Sequence, residues 1–388
     1  MSTDLNRAEA VRQAFSARFS GSPRLFRAPG RVNLIGEHTD YNDGFVFPAA
    51  INRYTWSAIS ARDNRTLRVQ SANLSEQIDI NLDDQSRATG HWSDYVRGVA
   101  WVLEQQGVKV RGGNLFIDSD VPLGAGLSSS AALEVAAALA LLDNSGSTLD
   151  RLELAQLCRR AENEFVGMRC GIMDQFIACF GRADCALMLD CRSLEYELAP
   201  VPREVRLVVC NTMVKHELAA SEYNVRREQC EAGVRFLASR LENVSALRDV
   251  SLDQLMSFRG DLTEVVFKRC RHVISENARV EAANRALKHS DLAELGRLMA
   301  ESHRSLRDDY AVSCAELDSM VELASGIEGC IGSRMTGGGF GGCTINLVDA
   351  GRVGHFADSM AAGYERSTGK LPEIYVCSAA AAASEISA

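Results

Sequence analysis

The stretch Pro122–Leu133 reads Pro-Leu-Gly-Ala-Gly-Leu-Ser-Ser-Ser-Ala-Ala-Leu, and it decides the fold that this sequence predicts. Asn114–Asp118, just before it, has the composition of a short strand. Ala131–Leu142 consists almost wholly of Ala, Leu and Val, which predicts a helix. Between the two, Gly124 and Gly126 permit a tight turn close to a ligand, because neither residue carries a Cβ.

Three serines follow this turn at the predicted start of the helix. Ser128, Ser129 and Ser130 supply hydroxyls and free backbone N–H groups where the helix dipole favours an anion. No Lys follows the glycines, so the stretch is not a Walker loop, and it lacks the third Gly of a dinucleotide-binding loop. On its own it fits a phosphate-binding loop, and it also fits an ordinary N-capped helix after a glycine turn.

Length and composition restrict the class of protein. The 388 residues are enough for two domains, and 46% apolar with 24% charged residues is ordinary for a globular protein. A net charge of −9 without a run of Lys and Arg argues against a nucleic-acid surface. No apolar run is long enough to span a membrane, and the polar segment Met1–Phe15 predicts no signal peptide.

The twelve cysteines are scattered along the chain, and no Cys-x-x-Cys pair occurs among them. Cys179, Cys210 and Cys343 lie within apolar runs. We therefore expect reduced, buried thiols in a cytoplasmic protein and not a disulfide framework.

Hydrophobic spacing predicts further elements on both sides of the serine stretch. The predicted strands are Leu34–Ile35, Tyr54–Ser60, Thr66–Ser71, Val205–Asn211 and Cys343–Val348. The predicted helices are Asp4–Phe19, Trp92–Glu104, Leu149–Val166, Asn224–Leu237, His272–Leu287, Leu292–His303 and Ala315–Ser325.

Three expectations concern how these elements are arranged. Tyr54–Ser60 and Thr66–Ser71 are expected to be strands of a meander. Two prolines mark a boundary within Leu198–Arg206, which predicts domains at 1–203 and 204–388. The alanine run Ala379–Ala383 is expected to fray at the end of the chain.

The segment Arg27–Gly44 concentrates polar side chains among three glycines and one proline. Those polar residues include Arg31, Asn33, Glu37, His38, Asp40 and Asp43. Gly and Pro at this density are expected to preclude a long regular element.

Two carboxylates, Glu162 and Glu164, fall in the last turns of the helix that Gly167 is predicted to close. This position is unfavourable for the helix dipole, which indicates that at least one carboxylate is paired with a cation or a metal. Two solvated carboxylates are the alternative, and we favour it for Glu164.

Two more stretches have unusual composition. In Gly171–Phe176, Asp174 is a single carboxylate among apolar neighbours. Arg334–Gly342 has five glycines within six residues, is interrupted by Phe340 and precedes a predicted strand directly. That setting favours a shaped loop over a flexible linker.

These motifs together resemble those of the galactokinases, which belong to the GHMP kinases (galactokinase, homoserine kinase, mevalonate kinase and phosphomevalonate kinase). Arg27–Asn42 resembles the galactokinase signature, and Pro122–Ala131 is similar to the GHMP nucleotide loop. Met335–Gly342 resembles the C-terminal glycine motif of the GHMP kinases. Gly171–Phe176 and Ser221–Arg227 are similar to stretches of galactokinases in particular, and the motifs follow the family's order.

The resemblance implies an α/β (α+β) fold of two domains, an N-terminal mixed-sheet domain and a C-terminal ferredoxin-like domain, with the active site in the cleft between them. It implies transfer of the γ-phosphoryl group of ATP to the C1 hydroxyl of α-D-galactose, the first committed step of galactose catabolism by the Leloir pathway. The partners would be two small molecules, and the protein a cytoplasmic monomer or weak homo-oligomer.

The resemblance also implies a role for each matching residue. The residues implied to hold the triphosphate of ATP are Gly124, Ala125, Gly126, Leu127, Ser128, Ser129 and Ser130. Ser130 and Glu162 match the metal positions, and their oxygen atoms suit Mg²⁺. Asp174 matches the catalytic base for the C1 hydroxyl, with Arg31 as its cationic partner. The residues implied to bind the sugar hydroxyls are Glu37, His38, Asp40, Gly171 and Tyr223.

Other interpretations remain open at this point. A kinase for N-acetylgalactosamine or arabinose would share every motif, and a sugar- and ATP-binding regulator without catalysis belongs to another class. The intact serines and Asp174 argue against the regulator. Taken alone, His38 fits a structural histidine and Tyr223 fits a half-buried aromatic. Ser302–Tyr310 also resembles galactokinases, and we expect a structural role there, as an ion-pair network between the domains.

Overall fold

The computed structural model of the chain describes residues 3–84, 86–214 and 219–387. Its strands, in chain order, are β1 (Arg24–Asn33), β2 (Phe45–Val46), β3 (Pro48–Ala61), β4 (Thr66–Ser71), β5 (Glu76–Asn81), β6 (Gly113–Ser119), β7 (Cys185–Asp190), β8 (Tyr196–Pro200), β9 (Val205–Asn211), β10 (Cys330–Thr336), β11 (Cys343–Asp349), β12 (Glu373–Cys377) and β13 (Ser384–Glu385). Its α-helices are α1 (Thr3–Ser16), α2 (Asp94–Gln105), α3 (Ser129–Asn144), α4 (Arg151–Arg160), α5 (Met173–Phe180), α6 (Ala219–Ala238), α7 (Leu252–Ser257), α8 (Glu264–Lys288), α9 (Leu292–Ser305), α10 (Ala315–Ser325) and α11 (Val353–Thr368). Shorter helical segments are the 3₁₀ turns Asp40–Asn42 and Leu247–Asp249 and the π-helical turns Ala161–Val166 and Leu306–Tyr310.

The N-terminal half is built on a mixed sheet with the strand order β13-β1-β3-β6-β4-β5. Its neighbouring strands are antiparallel except β4 and β6, which are parallel. Helices α2, α3 and α4 share one apolar core with this sheet, and the buried alanines of α3 are part of it. A smaller sheet, β2-β7-β8, packs with Phe176 and Ile177 of α5 in a separate cluster.

The C-terminal half is built on an antiparallel sheet with the order β10-β11-β9-β12. The chain passes from β9 through α6–α10 to β10 and β11, and then through α11 to β12. This βαββαβ sequence with its strand order is the ferredoxin-like arrangement. The apolar core between β9, β11, α8 and α9 also contains Val32 and Phe47, so the two halves are packed together.

A long strand passes through the Pro-Gly segment, where a long regular element was not expected. β1 contains Pro29, and the predicted strand Leu34–Ile35 lies just beyond its end. The pairing of β1 with β3 shifts register between Pro29 and Arg31. A bulge tolerates a proline, which cannot donate to a regular ladder, and it changes the direction of the next side chain. The bulge therefore sets the direction of the Arg31 side chain, which lines the cleft described below.

The expected meander of β3 and β4 is wrong. β6 lies between them, antiparallel to β3 and parallel to β4. The long excursion through α2 returns the chain into the middle of the sheet. β6 can be buried there on both sides, because Leu115 and Ile117 are buried in the core on one face and Phe116 is buried on the other.

The alanine run Ala379–Ala383 does not fray. The N–H groups of Ala380 and Ala383 donate at 2.8 Å to the carbonyls of Ala50 and Ala178, and the strand that follows, β13, pairs with β1. The small side chains let this segment lie against β3 and α5. The division into 1–203 and 204–388 stays a prediction, and the last strand belongs to the N-terminal sheet.

The twelve cysteines all lie among the described residues, and all are free thiols. Cys179, Cys210 and Cys343 are fully buried, as the apolar surroundings predict. None of the helices within the described ranges combines the length and apolar character needed to cross a bilayer.

Candidate active site

A cleft of about 720 Å³ lies between the two halves of the molecule. It is lined by most of the predicted site residues, namely Arg31, Glu37, His38, Asp40, Gly124, Gly126, Ser128, Ser129, Ser130, Glu162, Gly171, Asp174 and Tyr223. Ala125 and Leu127 do not line it, because their side chains are buried in the core between the halves. The fold thus brings together residues that are up to 192 positions apart, Arg31 and Tyr223.

The glycine-serine loop opens α3 at one wall of the cleft. Gly124 and Gly126 have φ angles of 68° and 76°, and Ser128 also takes the left-handed conformation with φ 59°. Among the described residues, no side-chain hydrogen bond caps the helix at Ser128, and the buried hydroxyl of Ser128 has no hydrogen-bond partner among them. The ordinary N-cap interpretation is therefore wrong, and the helix start is open to an anion.

The second glycine stretch is a shaped loop, as predicted. It connects β10 to β11 and lies against the glycine-serine loop, where a Cβ at Gly337 would meet the carbonyl oxygen of Gly126 at 2.7 Å. Thr212 in turn donates its N–H to the carbonyl of Gly342 at 2.9 Å. The two glycine loops thus form one continuous backbone surface along the cleft.

Arg31 and Asp174 form a two-pronged ion pair at the cleft. The Nε of Arg31 donates to Oδ1 of Asp174 at 3.0 Å, and its second terminal nitrogen donates to Oδ2 at 3.1 Å. The remaining terminal nitrogen donates to the carbonyl of Gly126 at 2.5 Å. Arg31 is buried while Asp174 is 28% exposed toward the cleft. One arginine therefore fixes both the carboxylate and the glycine-serine loop.

Glu162 is buried in the π-helical turn that continues α4. The hydroxyl of Ser130 donates to it, and burial together with the nearby charge of Asp174 raises its pKa to about 7. Gly167 ends the turn in the left-handed conformation, as predicted. Glu164 is exposed, as the solvated interpretation predicts, and it also has a cationic partner, because Arg160 pairs with it at 3.2 Å.

Two residues near Glu162 were missed by the sequence analysis. The amide nitrogen of Gln175 donates to Glu162 at 2.6 Å and to the fully buried Glu134 at 3.0 Å. A signal was present, because Glu134 is the lone charge in an otherwise apolar stretch of helix. The amide of Gln175 thus fixes the carboxylate of Glu162, and Ser130, next to Glu162, lines the cleft.

Glu37 and Asp40 place two further carboxylates at the cleft. Glu37 accepts from the N–H of Gly337 at 2.5 Å and from the amide of Asn33. Asp40 accepts from the N–H of Tyr41 at 3.0 Å, and burial with the charge of Asp174 raises its pKa to about 7.

Gly171 lies directly against Asp40. A Cβ at position 171 would stand 2.1 Å from Oδ2 of Asp40, so any side chain here would displace the Asp40 carboxylate. The absence of a side chain at Gly171 is therefore what lets the Asp40 carboxylate occupy its place.

His38 is held by protein partners on both ring nitrogens. Its Nε2 lies 3.2 Å from the carbonyl of Gly338 and its Nδ1 lies 2.8 Å from the hydroxyl of Tyr41. Burial lowers the pKa of His38 to about 3, so the ring is neutral, with the proton on Nε2 facing the carbonyl. Tyr223 lies beside it, with ring centroids 5.3 Å apart. His38 therefore shapes the pocket through contacts within the protein.

The cleft has an apolar part that the sequence analysis did not assign. It is lined by Leu74, Trp92, Tyr95, Leu123 and Leu133, next to the glycine-serine loop. Aromatic and aliphatic side chains of this kind suit a flat, largely apolar group attached to the anion.

Three family models match the chain. The galactokinase galactose-binding signature matches residues 13–61, the GHMP kinases N-terminal domain matches 94–182, and the GHMP kinases C-terminal domain matches 283–366. The first covers Arg31, Glu37 and Asp40, and the second covers the glycine-serine loop and Asp174.

Curated relatives match over nearly the full length. The chain is 49% identical to the galactokinase of Roseiflexus sp. (strain RS-1) over 95% of both chains. It is 51% identical to the galactokinase of Chloroflexus aggregans (strain MD-66 / DSM 9485), again over 95% of both chains. Its structure is similar to that of Lactococcus lactis galactokinase complexed with galactose, with a TM-score of 0.93 and 35% identity over 97% of this chain and 99% of that one. The chain belongs to the galactokinases, a family of GHMP kinases.

Proposed function

We propose that this protein transfers the γ-phosphoryl group of ATP to the C1 hydroxyl of α-D-galactose, which yields α-D-galactose 1-phosphate and ADP. The observation that carries this proposal is the Arg31–Asp174 pair, which joins a carboxylate to the loop at an open helix start. One cleft thus contains a site for an anion, a base, and carboxylates that can accept hydrogen bonds from sugar hydroxyls. This reaction would commit galactose to catabolism in the cytoplasm, in a protein that acts as a monomer or weak homo-oligomer.

Asp174 is the group we propose to accept the proton of the C1 hydroxyl. Arg31 occupies one acceptor position on each carboxylate oxygen, and a carboxylate has about four such positions, so room remains for the substrate. A carboxylate is a weak base for an alcohol, and a loose transition state for phosphoryl transfer requires little early activation of the nucleophile. Orientation by Arg31 and neutralisation of the developing charge would then supply most of the rate.

ATP is proposed to bind with its phosphates at Gly124, Gly126 and Ser128–Ser130 and its base against the apolar part of the cleft. The N–H groups at the helix start fit a phosphate, as does the hydroxyl of Ser128, which has no partner among the residues that the structure describes. The two glycine loops would lie on either side of the triphosphate.

Mg²⁺ fits the donors present at Ser130 and Glu162. The described residues contain no group of three or more His, Cys, Asp and Glu placed to hold a metal ion. A hydroxyl and one carboxylate, completed by phosphate oxygens and water, are the ligands that Mg²⁺ commonly takes. Burial and the nearby charge of Asp174 raise the pKa of Glu162 to about 7, and a bound cation would favour the ionised form of this carboxylate. When bound, Mg²⁺ would offset negative charge on the phosphate oxygens.

Glu37, Asp40 and Tyr223 are proposed to bind the hydroxyls of galactose, with Gly171 making room. Asp40 keeps Oδ2 available, because the N–H of Tyr41 uses only Oδ1. Since both ring nitrogens of His38 are occupied, a direct sugar contact would require it to exchange its 3.2 Å bond to Gly338.

A coupled ADP-release assay across hexoses, pentoses and amino sugars tests the proposed function. We expect ADP release in the presence of ATP, Mg²⁺ and galactose. Faster turnover of N-acetylgalactosamine or arabinose would instead support a kinase for that sugar. Binding of both ligands without turnover would support the regulator.

Glu162→Gln is expected to raise the Mg²⁺ concentration needed for half-maximal rate, with excess Mg²⁺ restoring part of the activity. The change removes the charged ligand while it keeps the shape of the side chain. We expect Ser130→Ala to act in the same direction and more weakly, because it removes a neutral ligand. Titration of Mn²⁺ followed by electron paramagnetic resonance provides a second readout, independent of turnover.

The matched control is Glu164→Gln, two residues away, whose carboxylate is exposed and paired with Arg160. It should leave the metal dependence unchanged. Equal Mg²⁺ dependence of Glu162→Gln and the wild type would remove Glu162 from the metal site.

Gly171→Ala is expected to lower kcat/KM for galactose by about 5- to 150-fold, because a new methyl in a filled site costs roughly 1–3 kcal/mol. The methyl group would displace the Asp40 carboxylate. Gly354→Ala is the control, since a Cβ at Gly354 meets nothing within 4 Å. Steady-state kinetics with galactose varied measure the effect. Normal kinetics of a folded Gly171→Ala protein would contradict the packing of Gly171 on Asp40.

A further inference from the structure

The stretch Ser302–Tyr310 has no role in the proposed reaction. It nevertheless packs against the loop that carries Glu37, His38 and Asp40, because Tyr310 contacts this loop. We infer that this stretch, here called the support segment, positions the sugar-binding loop, and that Tyr310 is a positioning residue for galactose recognition. The inference rests on the proposed function, because it concerns the sugar. Four sets of contacts carry it.

The sugar-binding loop needs external support because its backbone is strained. His38 has a φ of 63° and Asp43 a φ of 54°, and both are left-handed conformations that cost energy for residues with a Cβ. Such conformations persist where surrounding contacts impose them.

Two buried side chains of α8 hold the backbone of this loop. The carboxylate of Glu276 accepts from the N–H of Gly36 at 3.0 Å, and Nε2 of His272 lies 3.1 Å from the carbonyl of Glu37. Burial lowers the pKa of His272 to about 4, so its single ring proton sits on Nε2, facing that carbonyl. The loop is therefore attached to α8 on both sides of the Gly36–Glu37 peptide.

The support segment orients these two side chains. The hydroxyl of Ser302 donates to Glu276 at 2.5 Å, and the hydroxyl of Ser305 donates to Nδ1 of His272 at 2.9 Å. Asp309 pairs with Arg271 of the same helix. Both partners lie in the C-terminal half, so this pair is not the expected ion-pair network between the domains, and buried hydroxyls make the segment's other contacts to α8.

Tyr310 reaches the sugar-binding residues directly. Its ring stands 4.8 Å from that of His38, and its hydroxyl lies 2.8 Å from that of Tyr41. Because Nδ1 of His38 carries no proton, Tyr41 must donate to it and accept from Tyr310. These hydrogen bonds therefore run from Tyr310 to Tyr41 to His38, and Tyr310 is the first donor. The Sγ of Cys230 lies 3.1 Å from the Tyr310 hydroxyl.

The end of the support segment, together with the two residues that follow it, also holds the other wall of the sugar pocket. Arg226, one turn beyond Tyr223 on α6, donates to the carbonyls of Tyr310 and Ala311 at 2.9 and 2.8 Å. The N–H of Phe340 in the second glycine loop donates to the carbonyl of Val312 at 2.7 Å. The support segment and the two residues after it thus connect the sugar-binding loop, Tyr223 and the second glycine loop.

Tyr310→Phe tests the inference, because it removes the hydroxyl and keeps the ring. We expect the dissociation constant for galactose, measured by calorimetry without nucleotide, to rise about three- to tenfold, the value of one lost hydrogen bond. The dissociation constant for ATP should stay unchanged. Tyr364→Phe is the matched control, since Tyr364 is also fully buried and its hydroxyl donates to the carbonyl of Thr212.

Tyr41→Phe supplies the second variant and keeps the test valid if Tyr310→Phe does not fold. Tyr41→Phe breaks the same series of hydrogen bonds from Tyr310 to His38. The double variant Tyr41→Phe/Tyr310→Phe should therefore bind galactose no more weakly than Tyr41→Phe alone. Additive losses, equal losses for galactose and ATP, or no loss of galactose binding in either folded variant would overturn the inference. A wild-type protein that binds no galactose would instead overturn the proposed function.

Discussion

Asp174→Asn is expected to lower kcat for galactose by about 10²–10⁴-fold, the usual contribution of a positioned general base. The amide has the shape of the carboxylate but cannot take the proton of the C1 hydroxyl. It also cannot accept both bonds from Arg31, because one oxygen is replaced by an NH₂ group. Galactose binding should be largely retained, since Glu37, Asp40 and Tyr223 are unchanged.

Single-turnover measurement of galactose 1-phosphate formation, with galactose affinity measured in parallel, separates these effects. The control is Asp79→Asn, which breaks an ion pair of the same two-pronged geometry with Arg68 on β4 and β5. It should leave kcat unchanged. An Asp174→Asn protein with near-normal kcat would exclude Asp174 as the base.

Asp40→Ala is expected to lower kcat/KM for galactose by at least about tenfold and to reduce the preference for galactose over glucose. The two sugars differ only in the orientation of the C4 hydroxyl, so discrimination depends on hydrogen bonds aimed at that position. A buried carboxylate left without its donor costs roughly 1–3 kcal/mol, which penalises glucose in the wild type. Without Asp40 this penalty is absent.

The measurement is kcat/KM for both sugars in the wild type, in Asp40→Ala and in Asp43→Asn. Asp43 lies in the same loop but is exposed, so its variant should keep the wild-type ratio. An unchanged galactose-to-glucose ratio in Asp40→Ala would show that another residue reads the C4 configuration.

Local patterns in the sequence were sufficient for most elements. β9 and α10 have the predicted bounds, because β9 is a nearly continuous apolar run and α10 has its buried apolar residues at helical spacing. The order of strands was not predictable in this way. The insertion of β6 between β3 and β4 depends on contacts between residues far apart in sequence, and no local spacing records them.

The same distinction between local patterns and distant contacts applies to the residues of the site. Residues that lie in dense polar motifs, such as Arg31 and Asp40, were assigned from the sequence, and the structure places them in one cleft. Glu134 and Gln175 were missed because their function depends on Glu162, which is distant in sequence. Tyr310 belongs to a stretch that resembles galactokinases, but the sequence did not predict its role. That role depends on the hydrogen bonds that link Tyr310 through Tyr41 to His38, and these appear only in the structure.

The central claim is that phosphate is transferred to the anomeric hydroxyl of galactose. ³¹P nuclear magnetic resonance of the wild-type reaction with ATP, Mg²⁺ and galactose tests it most directly, because coupling to neighbouring protons locates the phosphate. We predict one new phosphomonoester doublet coupled to the anomeric proton of the α anomer, formed together with ADP. A phosphomonoester coupled to the two C6 protons, or ADP formed without any sugar phosphate, would contradict the account.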